Sequence, residues 1–64
     1  MDEGIKNMQI EIAKIYENRV SKKLPNEVAE KLKIKYLSYI GLEMIIDTVR
    51  SIELSKLDKY LNEI

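Results

Sequence analysis

Glu43 and Asp47 stand four residues apart, which puts two carboxylates on one face of a helix. Such a pair can hold Mg²⁺, although magnesium sites usually draw on substrate phosphates as well. With Arg50 close by, the plainer expectation is an exposed polar stripe. Other chemistry has little to work with. The chain has no cysteine and no histidine, which removes thiol nucleophiles, imidazole bases and the usual triads. It also removes the commonest zinc ligands. Gly4 and Gly41 are the only glycines and lie far apart, so no glycine-rich loop can cradle a phosphate. The expectation is a protein that is not an enzyme and carries no cofactor and no metal.

Charge is balanced overall, with 11 basic and 11 acidic residues, but unevenly placed. Residues 19–35 carry Arg19, Lys22, Lys23, Lys31, Lys33 and Lys35 against Glu27 and Glu30. A basic middle can meet phosphates or an acidic partner, and it can equally be the solvated face of a turn and helix. Within it, Asn26-Glu27-Val28-Ala29-Glu30-Lys31-Leu32-Lys33-Ile34 resembles the first helix of a helix-turn-helix. That resemblance implies Ala29 packed on a second helix and Val28 and Leu32 facing the core. The chain departs from it with Lys33 where the family commonly has glycine. The implied recognition helix, about 37–46, offers Ser38 and Tyr39 but no Arg, Lys, Asn or Gln to read bases. Leu54-Ser55-Lys56-Leu57-Asp58 in turn resembles the Ser-x-x-Leu-Asp signature of small helical-hairpin phosphatases of sporulation signalling. Here Leu54 takes the place of the serine.

Tyr16, Tyr36, Tyr39 and Tyr60 fall on or beside apolar stripes, and tyrosine is enriched at interfaces. Their alternative role is to cap the edge of a core with the hydroxyl in water.

The elements that must position these groups are all helical. Leu32 to Ile52 holds 12 apolar residues in 21, and in so short a chain it should form the core. A first helix is expected over about 2–20, its stripe formed by Ile5, Met8, Ile12, Ile15/Tyr16 and Val20. Pro25 suits a first helical turn, so a second helix should start at Pro25 or Asn26 and run over about 25–40. Gly41 either ends it or sits inside a longer helix. The last helix should span 42–64, with a further break near 51–55, where Ser51 and Ser55 are candidate caps.

Sixty-four residues allow one domain, residues 1–64, and a chain this short is marginally stable alone. Without disulfides or zinc, self-association is the remaining support. The longest uncharged run, 36–42, is far short of the ~20 residues of a membrane span, and the acidic start does not resemble a signal peptide. A cytoplasmic protein is expected. The Ile- and Lys-rich composition, free of Trp and His, suits an AT-rich prokaryotic or phage genome. The sequence therefore predicts an all-α bundle of three helices, or four, as a homodimer. Its expected function is a small non-catalytic regulator or adaptor that binds a protein partner through a helical face. Tyr36, Tyr39, Ile40, Met44 and Val49 are the expected self-association or partner contacts. The alternative is a DNA-binding regulator using residues 19–35.

Overall fold

A computed structural model describes residues 3–64 as four helices with no strand among them: α1 Glu3–Val20, α2 Asn26–Lys35, α3 Tyr39–Ser51 and α4 Leu54–Glu63. The expected start of α1 at Asp2 lies outside the described residues. The radius of gyration is 10.8 Å, against about 11 Å for a compact chain of this length. The four helices therefore close around one core.

That core is Ile12 and Tyr16 of α1, Leu24, Val28 and Leu32 around α2, Leu42, Ile45, Ile46 and Val49 of α3, and Leu57 and Leu61 of α4. The spacings of three, four and seven put each set on one helical stripe. α1 packs mainly on α3, and α2 leans on α1.

Each break has its own hydrogen-bonding arrangement. α1 ends at Ser21, which takes the left-handed φ of 62° while its N–H donates to Glu17 O at 2.9 Å. Pro25 is the cap residue before α2 rather than its first helical residue, and its carbonyl accepts from Val28 and Ala29. α2 stops at Lys35, five residues before the expected end. Gln9 of α1 donates through Nε2 to Leu32 O (3.0 Å), which also accepts the Tyr36 N–H, and to Tyr36 O (3.3 Å) just past the end of the helix.

The break near Gly41 comes earlier than expected, at 36–38. Ser38 caps α3 by accepting the Gly41 N–H at 3.2 Å. Gly41 sits in the first turn of α3 with no positive φ. Its missing side chain leaves room for the Ser38 hydroxyl and the Tyr36 ring, 3.1 and 3.5 Å from where a Cβ would stand. The last expected helix is two, α3 and α4, broken at Ile52 and Glu53. Neither serine caps α4; Glu53 does, through its backbone carbonyl to Lys56 N–H. Ser51 bonds back to Asp47 O inside α3.

These breaks divide the 32–52 stripe. Leu32, Leu42, Ile45, Ile46 and Val49 are buried, and Tyr36 and Ile52 are half-buried. Ile34, Leu37, Tyr39, Ile40 and Met44 are exposed. The stripe is only partly core, because the turn at 36–38 resets the helical phase and α3 is too narrow to bury both of its faces.

Candidate interaction surface

α3 presents two faces. Leu42, Ile45, Ile46 and Val49 point inward, and Ile40, Glu43, Met44 and Asp47 recur at three and four residues on the outside. Ile40 is 76% exposed and Met44 66%. One helical turn separates them, so they form a short apolar ridge with carboxylates alongside. Glu43 and Asp47 make no ion pair among the described residues; Arg50 turns instead to Glu11 of α1, 3.6 Å away. No cluster of three metal-ligating side chains occurs among the described residues.

The five residues expected at a contact surface separate. Ile40 and Met44 share the outward ridge. Tyr39 is half exposed, and its ring closes on α1 at Gly4, where any Cβ would collide with it. Tyr36 is half-buried at the end of α2. Val49 must be struck from the set. It is 0% exposed, on the inward face of α3, and serves the protein's own core.

The basic residues separate as well. Arg19 Nη1 donates to Val49 O at 2.7 Å, and Lys31 Nζ donates to Asn62 O at 2.8 Å. Both cations sit on helix C-terminal carbonyls, where the partial negative charge of α3 and of α4 favours them. Lys33 makes a long contact of 3.9 Å with Glu30 on its own helix. Lys22, Lys23 and Lys35 are exposed and make no ion pair among the described residues. The cluster is thus two structural caps and a set of uncommitted lysines.

A second surface, which periodicity does not reveal, lies between α1 and α2. A shallow groove of about 290 Å³, lined by Ile5, Lys6, Gln9, Lys33 and Leu37, continues into one of about 220 Å³. The second part shares Lys6, Gln9 and Lys33 with the first and adds Ile10, Leu24, Ala29 and Leu32. The floor is apolar, and among the described residues that line it the charges are the two lysines. Leu37, in the turn after α2, reaches this groove just past the helix end that Gln9 bonds. Local spacing gives no signal for it, because its walls come from α1, α2 and the segments flanking α2.

Tyr16 and Asp58, by contrast, are committed. The phenol donates to Asp58 Oδ1 at 2.6 Å and ties α1 to α4. The bond to Asp58, then burial, then the carboxylate's charge push the Tyr16 pKa up from 10.0. Asp58 is the aspartate of the phosphatase-like stretch, and here it accepts a structural hydrogen bond.

No protein-family model, curated protein or solved structure matches this chain. No helix among the described residues is long and apolar enough to cross a membrane.

Proposed function

We propose that this chain is a small non-catalytic binding protein that acts by presenting the outward face of α3 to another protein. The observation that carries this reading is the exposure of Ile40 and Met44 beside a core that is complete without them. Isolated exposed apolar residues are ordinary, but Ile40 and Met44 stand at i and i+4 on one face of the first half of α3, the spacing of anchors in helix-in-groove recognition. The absence of cysteine and histidine from the sequence supports a role in binding rather than catalysis.

The test compares the protein with its Ile40→Asp variant. Self-association is followed by sedimentation, and partner capture by pull-down from cell extract. Circular dichroism checks that the variant keeps its helices. The variant should lose the associations that the parent makes. Identical associations in both would sink the reading.

DNA binding is the second reading. Its support is the helix, three-residue turn and helix at 26–35, 36–38 and 39–51, together with the uncommitted Lys22, Lys23 and Lys35. Against it, the α3 face that would enter a groove carries Ile40, Glu43, Met44 and Asp47, with two carboxylates where phosphates would crowd. Anisotropy of a labelled duplex at low and then physiological salt decides between them. Saturable, salt-sensitive binding, lost on charge reversal at the three lysines, would promote DNA over protein.

A further inference from the structure

The groove between α1 and α2 and the outward face of α3 have complementary properties. The groove offers Ile5, Ile10 and Leu37, with Lys6 and Lys33 the charges among the described residues that line it. The ridge offers Ile40 and Met44 with Glu43 and Asp47 beside them, which make no ion pair among the described residues, since Arg50 is drawn off to Glu11. Apolar surface would meet apolar surface, and two cations would meet two anions.

We infer that the occupant of the groove is α3 of a second copy of this chain, so that two copies exchange these surfaces around a twofold axis. The inference rests on the reading of α3 as a protein-binding face and names what that face binds. The dimensions agree: residues 40–47 of α3 extend about 10 Å, and the α1 wall from Ile5 to Ile10 about 8 Å. The placement also permits closure. Both surfaces border the first half of α1, where Ile5 and Gln9 line the groove and Gly4 receives Tyr39 at the start of α3. Each copy can therefore offer its groove to the other's α3 and its α3 to the other's groove, which gives two equal contacts and a closed dimer. A standard interface takes about 800 Å² from each partner, roughly a sixth of the 4598 Å² surface of this chain. The contact between Lys33 and Glu30 does not oppose this. At 3.9 Å, with both side chains about two-thirds exposed, it is a weak surface pair.

Charge exchange tests the inference directly. One variant carries Lys6→Glu and Lys33→Glu, and the other Glu43→Lys and Asp47→Lys. All four side chains are exposed, so both variants should keep their helices by circular dichroism. Sedimentation should find the parent at twice its 7.5 kDa chain mass. Each variant alone should dimerise about tenfold or more less tightly, because both of its contacts then bring like charges together. An equimolar mixture should dimerise like the parent, since every groove in the mixed pair then faces an α3 of opposite charge. A parent that stays monomeric at millimolar concentration overturns the inference, as do reversals without effect or a mixture that fails to recover. The broader reading fails on a different observation, an Ile40→Asp variant that keeps all of its partners.

Discussion

Both faces of α3 carry large apolar side chains, and these have opposite roles. Inward, Leu42, Ile45, Ile46 and Val49 meet α1 and complete the core; outward, Ile40 and Met44 meet solvent. Hydrophobicity alone does not distinguish them, and packing does. Leu42→Ala should destabilise the protein by about 2–5 kcal/mol, because a fully buried side chain leaves a cavity that the neighbours fill only in part. Ile40→Ala should change the stability of the monomer by less than about 0.5 kcal/mol. Urea denaturation at low protein concentration, where association does not contribute, measures both. Equal costs at the two sites would dissolve the distinction.

The same division runs through the cations. Arg19 and Lys22 are three residues apart, yet Arg19 is bonded to the end of α3 and Lys22 makes no hydrogen bond or ion pair among the described residues. Arg19→Ala should cost about 1–2 kcal/mol, the lower part of the range for a charged hydrogen bond, because the site is only partly buried. Lys22→Ala should leave the denaturation midpoint unchanged. If both were silent, the basic stretch would again be a candidate for phosphate contacts throughout.

The helical class, the apolar stripes and the turn at 21–25 were legible because each follows from local spacing and from proline. What stayed hidden depends on contacts distant in sequence. Nothing near Tyr36 announces that α2 stops there, since the stop is stabilised by Gln9, 27 residues away. The cap at Ser38 was legible in principle, but the glycine three residues later drew attention to itself. The inward place of Val49 follows from its spacing to Leu42 and Ile45, which the sequence already shows; what the sequence does not show is which residues of that stripe are buried within one chain. Of the candidate surface, Tyr39, Ile40 and Met44 were reachable from periodicity. The groove was not, because its walls come from two helices.

The tyrosines sharpen the comparison at lower cost. Tyr16→Phe removes the bond to Asp58 and should cost about 1 kcal/mol, whereas Tyr60, whose hydroxyl makes no hydrogen bond among the described residues, should tolerate Phe freely. The bond also has a pH signature. Because the folded pKa of Tyr16 is raised, the unfolded chain loses this proton first, near 10.0. The contribution is fully present below that value and is lost as pH rises through it towards the folded pKa. Between about pH 9 and 11, stability of the parent should fall more steeply than that of Tyr16→Phe. Lysine titration affects both proteins alike and cancels in the difference. Parallel curves would mean that Asp58 does not hold the phenol in solution.

The smallest expected effect is a gain. Ser21 adopts a left-handed backbone to end α1, a conformation that costs a residue with a Cβ roughly 1–2 kcal/mol and glycine almost nothing. Glycine gives part of that back through the greater freedom of its unfolded chain. Ser21→Gly should therefore stabilise by about 0.5 kcal/mol, read as a small rise in the denaturation midpoint. The Ser21 side chain is exposed and makes no hydrogen bond among the described residues, so nothing else is lost with it. A fall instead of a rise would mean that α1 does not end at Ser21 in solution. Arg19 is already helical within α1, so its bond to the Val49 carbonyl, and the separation of structural from uncommitted cations, would stand whichever way Ser21→Gly turned out.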